Sequence, residues 1–393
     1  MRDREGPVDA EYLKDLADLV LRLLHVVAGV AWIGASFYFI RLDLGLRPPE
    51  DPAAAERGVG GEYWGVHGGG FYHSQKYRVA PPRLPEHLHW FKWEAYTTWL
   101  SGFALLVVLY WLDADARLVD RGVADLASWE AVALSAGGLA FAWGAYDLAC
   151  RLLRDDRAVA GVVVGLVVVS AWAAGELFAA RAAYLQVGAM LGTIMAANVL
   201  LTIIPAHREL IRAKEAGRAP NSQPGLDAKQ RSVHNNYLTL PVVFTMLAGH
   251  FPLTYGSGRP WLVLVAIFVL LALTRHFFNL WHTGRRAWWI PAAVAVGAVA
   301  LAVALAPEDA AAPQSGTAPT DDEAIAIAES RCQTCHSGAA APAGVRLETT
   351  EQLRANAGGI HRQVSANAMP PGNSTGMTDD ERAALVAWAA AAR

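Results

Sequence analysis

The sequence predicts an all-α fold: a polytopic membrane bundle of about eight transmembrane helices, followed by a small helical domain at the C-terminus. Three observations predict it. The 393-residue chain is 54% hydrophobic and 18% charged, too apolar for a water-soluble domain. Its apolar residues gather in eight runs, at 19–40, 95–112, 129–149, 159–179, 183–205, 237–255, 261–281 and 288–306. Each run can cross a hydrocarbon core of about 30 Å as a helix. Beyond the last run, helical segments at 321–331 and 378–392 are polar enough to face water.

The N-terminal segment 1–18 is mixed in charge and runs into the first apolar stretch without a small-residue cleavage pattern, so that stretch is expected to stay in the membrane. Lys and Arg concentrate in the odd-numbered loops, as Arg41, Arg47, Lys76, Arg78 and Lys92, then Arg151 and Arg157, then Arg208, Arg212 and Lys229, then Arg285 and Arg286. Cytoplasmic loops accumulate such residues, which puts both termini outside the inner membrane. Several of the 14 tryptophans flank apolar runs, as in interfacial belts. The net charge of -3 argues against a nucleic-acid partner.

Segment 307–320 is rich in Ala, Pro and Ser without periodicity and reads as a flexible tether between a membrane domain at 1–306 and a domain at 321–393. The last domain contains Cys332-Gln333-Thr334-Cys335-His336. This C-x-x-C-H spacing lets two thiols bond to the vinyl groups of one haem while the adjacent histidine reaches the iron. The expected cofactor is a covalent haem c, and the domain resembles a small class I cytochrome c. A zinc site would need further ligands, and the remaining cysteine, Cys150, lies in an apolar run. A thioredoxin-like motif would need a βαβ pattern, where helices flank this one. Met369, in a proline-rich loop, is the expected sixth iron ligand, with His361 and Met377 as competitors. Met377 precedes a capping box from Thr378 to Glu381 and reads as a packing residue. A c-type haem belongs on the periplasmic face, in agreement with the charge-derived topology.

One helix suffices to anchor a cytochrome, so eight require another role. The stretch Leu23-Leu24-His25-Val26-Val27-Ala28-Gly29-Val30-Ala31-Trp32-Ile33-Gly34 resembles the opening of the PuuD-type membrane urate oxidases. The likeness continues through His67-Gly68-Gly69-Gly70-Phe71-Tyr72-His73, through Leu88-His89-Trp90-Phe91-Lys92-Trp93-Glu94 and through His234-Asn235-Asn236-Tyr237. The fused cytochrome matches that family too. The resemblance implies oxidation of urate to 5-hydroxyisourate without hydrogen peroxide. Electrons would leave through haem c to a soluble cytochrome c or a terminal oxidase.

Urate is planar and anionic, so its site calls for aromatic surfaces, cationic or amide donors, and a base. On the cytoplasmic side, His73, Lys92, Glu94, His234 and Asn235 are the preferred catalytic candidates. Arg275, His276 and Asn279 add polar groups to the seventh run, with 275 and 279 on one helical face. The plainer readings are positive-inside charges, belt aromatics and a glycine turn at 68–70. His25 and His250 fall near the outer ends of their runs, where they either hold a haem b or hydrogen-bond within the bundle. Other functions remain open: oxidation of a quinol or porphyrinogen, a non-enzymatic electron-transfer subunit, or a transporter, although no internal repeat is evident. No strand-linked G-x-G-x-x-G signals a nicotinamide or flavin.

Overall fold

The computed structural model describes residues 10–153, 155–306, 319–338, 341, 344–370, 373 and 375–392. Most of the expected tether, together with Arg154, Pro371 and Gly372, lies outside the described residues. Each of the eight apolar runs is helical over most of its length. The long α1 (Ala10–Gly45) is followed by a short α2 (Pro52–Glu56), started by Pro52 and by Asp51 accepting from the Ala53 N–H.

The all-α expectation is corrected in the first loop, where β1 (Val59–His67) and β2 (Gly70–Tyr77) form an antiparallel hairpin. Its two-residue turn places Gly68 and Gly69 at φ +58° and +80°. Two positive φ values in succession define the turn that matches strand twist, and glycine adopts them without a Cβ clash. The hairpin is tied to the end of α1, where Arg41 donates to Tyr63 and Lys76 pairs with Asp43.

The second run forms α3 (Trp93–Leu106), which passes into a π turn at Val107–Trp111 before the short α4 (Ala114–Arg117). Next come α5 (Ser128–Leu152), begun where Glu130 accepts from the Ala127 N–H, and α6 (Asp156–Leu177), capped by Asp155. Then α7 (Ala180–Asn198), a π turn at Val199–Ile203 and α8 (Ile204–Glu215) make one rod. The sixth run sits on α9 (Ser222–Ala248), which starts well before the apolar residues, and on α10 (Pro252–Tyr255). The last two are α11 (Pro260–His282) and α12 (Trp289–Ala304). Among the described residues, four segments are long and apolar enough to cross a membrane: Tyr12–Gly45, Asp156–Leu177, Ala180–Glu215 and Pro260–His282. Of the other runs, the one on α3 passes into a π turn, the one on α9 follows a polar first half, and α12 is a shorter apolar helix of 16 residues.

The chain divides into two compact units. One comprises Met1–Leu105, Leu191–Val242 and Leu270–Ala295. Within it α1 lies close to α3, because Gly102 leaves room for the His25 ring: a Cβ there would stand 2.7 Å from the imidazole. The Trp99 indole reaches Thr193, linking α3 to α7. The other unit comprises Leu106–Met190, Val243–Val269 and Val296–Arg393. There Ser135 and Gln186 exchange hydrogen bonds between α5 and α7, and the Tyr184 hydroxyl donates to the Pro260 carbonyl at 2.7 Å. The same unit holds α13 (Asp321–Arg331), α14 (Thr350–Ala355), α15 (Ala357–Ser365) and α16 (Asp379–Ala391). Leu347, Leu353, Ile360, Val364, Met377, Leu385 and Trp388 form their shared core.

Candidate functional site

Strand pairing brings the first group together. On β1 and β2, Glu62 lies opposite Gln75 and Trp64 opposite His73, and the period of two puts all four on one face. The Glu62 carboxylate is buried, accepts from Gln75 at 2.7 Å and stands 3.3 Å from His73 Nε2. Trp64 stacks on the His73 ring at 4.1 Å, with 5° between planes. The carboxylate and the indole together fix the position and plane of the His73 ring.

A second group is buried among helices of the same unit. The Asn235 amide donates to the Met195 carbonyl at 3.0 Å and accepts from Asn198 at 2.9 Å. Asn198 in turn accepts from buried Arg231 at 3.2 Å. One residue along α9, Asn236 accepts from Arg275 Nε, and the guanidinium stands 3.9 Å over the Phe37 ring. The Tyr237 hydroxyl and His276 Nδ1 are 2.7 Å apart. Among the described residues of this unit, three buried side-chain atoms have no protein partner: Glu94 Oε2, Arg275 Nη2 and Asn279 Oδ1. Unmatched buried polar atoms are costly and call for a ligand or water.

Of the preferred candidates, Asn235 belongs to the α7–α9 network and His73 to the hairpin. Glu94 opens α3 with an unmatched oxygen. Lys92 lies just before α3, its ammonium 5.4 Å and 5.6 Å from the Trp90 and Trp93 rings. His234 is half-buried on α9. Glu62, Asn198 and Arg231 were missed. Asn198 is one of two amides, with Gln186, inside the apolar run 183–205, and that was the available signal for it.

His25 turns Nδ1 toward the Thr98 carbonyl at 2.9 Å and Ser101 Oγ at 3.2 Å. A carbonyl only accepts, so Nδ1 carries the proton and Nε2 keeps its lone pair. His250 lies exposed in the turn after α9.

In the C-terminal domain, α13 ends at Cys332, and the backbone folds back so that the Cys335 and His336 N–H groups both donate to the Cys332 carbonyl. This turn gathers two thiols and an imidazole. His336 Nδ1 stands 2.9 Å from the Val345 carbonyl, which puts the proton on Nδ1 and the lone pair on Nε2. Burial and the neighbouring Cys335 push the Cys332 thiol up to about 11. Met369 lies half-buried on a loop held by Arg382, which donates to the Met369 and Val364 carbonyls at 2.9 Å each. Met377 is buried in the core, just before the Thr378–Glu381 capping box. The two thiols and the imidazole nitrogen of the turn fit a c-type haem.

Comparison with known proteins agrees with both parts. Residues 319–388 match the family described as cytochrome c oxidase, cbb3-type, subunit III, which implies a c-type haem. No curated protein and no solved structure gives a significant match. Residues 11–306 match the family described as urate oxidase N-terminal. The chain therefore belongs to the urate oxidase N-terminal family, as a membrane oxidoreductase with its own cytochrome c domain.

Proposed function

We propose that this protein oxidises urate to 5-hydroxyisourate and passes the electrons to its own haem c, then to a soluble cytochrome c or a terminal oxidase, without forming hydrogen peroxide. The observation that carries this reading is the union, in one chain, of a urate oxidase family region with a cytochrome c region whose C-x-x-C-H histidine keeps its Nε2 lone pair. The reaction balances as urate plus water giving 5-hydroxyisourate, two protons and two electrons. Cys332, Cys335, His336 and Met369 are the residues that would hold the haem, which would supply a one-electron acceptor.

The protein's residues supply binding and proton transfer. His73, backed by Glu62, takes a proton from the substrate, and Lys92 offsets its negative charge. Glu94 accepts a substrate N–H, while His234 and Asn235 shape the site from α9. The proposed architecture has eight spans in 1–306, a tether at 307–320 and the cytochrome at 321–393, in the inner membrane with the haem on the periplasmic side. The charge bias of the loops supports that orientation. Because purine breakdown is cytoplasmic, electrons must then cross the bilayer. A haem b held by His25 and His250 is the proposed relay, supported by the His25 lone pair.

Stoichiometry tests the reading. With cytochrome c as acceptor in air, two equivalents should be reduced per urate consumed, with no peroxide. Peroxide formed in proportion to urate would contradict it. Alanine at His73 should lower turnover at least about 100-fold for a proton-transfer role, with the c-type spectrum intact.

A further inference from the structure

We propose that Arg275 and Asn279 together recognise one H–N–C=O edge of a cyclic ureide or imide, the guanidinium donating to the carbonyl oxygen and the Asn279 amide oxygen accepting the N–H. The inference deepens the reading of urate as substrate and rests on it for the ligand's identity.

The two residues are a turn apart on α11 and share a face. Arg275 is 4% exposed and Asn279 9%, so neither reaches solvent to satisfy itself. The guanidinium is fixed on two sides, because Nε donates to Asn236 and its plane lies over Phe37. What remains is Nη2, a donor without an acceptor, and Asn279 Oδ1, an acceptor without a donor. They do not satisfy each other. A carboxylate would match the arginine but set an acceptor against the Asn279 oxygen. A ring segment carrying N–H beside C=O matches both. Urate presents several such edges, and methylation of a single nitrogen blocks one edge at a time.

The test is equilibrium binding of urate and its mono-N-methylated derivatives to the full-length protein in detergent. In the native protein, the isomer blocked at the N–H facing Asn279 should bind about 10-fold more weakly than urate, the value of one hydrogen bond. Asn279→Ala should weaken urate and erase that difference. Asn279→Asp, which still accepts an N–H, should retain it and provides the comparison if the alanine variant fails to fold. Arg275→Lys should weaken the whole series while keeping its order. A ranking of isomers unchanged in Asn279→Ala, or no urate binding to the native protein, would overturn the inference and leave only a water-filled cluster. Urate that binds with this selectivity yet leaves the haem oxidised would refute the proposed oxidation and leave edge recognition standing.

Discussion

At the scale of residues, chemistry follows from what each polar group is paired with. His73 and Glu62 are 11 positions apart, and only the hairpin register makes them neighbours. That is why His73 was legible as a candidate from residue type while its carboxylate partner was not. The C-x-x-C-H turn needed no such help, because short spacing fixes its geometry. In the same domain Arg331 grips both oxygens of Glu381, at 3.1 Å and 3.0 Å from Nε, and donates to the Thr375 carbonyl. The Arg331 hydrogen bonds, with help from the Thr378 N–H, hold the Glu381 carboxyl below its ordinary value of 4.5. A depressed folded value means that this stabilisation is fully present above pH 4.5 and is lost as pH falls through the lower folded value. The thermal midpoint of the haem domain in the full-length protein should therefore differ most between native and Glu381→Gln proteins near neutrality. The difference should shrink below pH 4.5, and a constant offset across that range would contradict the assignment.

At the scale of elements, the apolar runs announced the helices, and the helical segments expected at 321–331 and 378–392 appear as α13 and α16. The hairpin was hidden because its glycines and charges read as a loop, although Gly68-Gly69 between aromatic-rich segments is a hairpin signal. Helix-to-helix fit was also beyond the sequence, since nothing local tells a glycine in open space from one under a ring. Gly102 is of the second kind, and Gly137 of the first. Replacing a helical glycine by alanine ordinarily stabilises by about 1 kcal/mol. Gly137→Ala should follow that rule. Gly102→Ala should instead destabilise by about 1–3 kcal/mol, because the new methyl displaces His25 from Thr98. Unfolding in detergent compares the two, and equal midpoints would show that the α1–α3 contact tolerates a side chain.

At the scale of the whole molecule, one chain joins a urate oxidase family region to a cytochrome c domain. The sequence disclosed that union through a five-residue motif and a set of helix-borne stretches. It did not disclose the buried network of Asn198, Arg231, Asn235, Asn236 and Arg275, because those pairings join α7, α9 and α11 across long sequence separations. The union makes sense if substrate oxidation and electron export are one process. The most direct measurement is the anaerobic optical spectrum of the oxidised, purified protein before and after adding urate. Reduction of the c-type band by urate, with Cys335→Ala abolishing the response, is the predicted result, and any accompanying b-type band would report a second haem. A c-type band that dithionite reduces and urate does not would contradict the account.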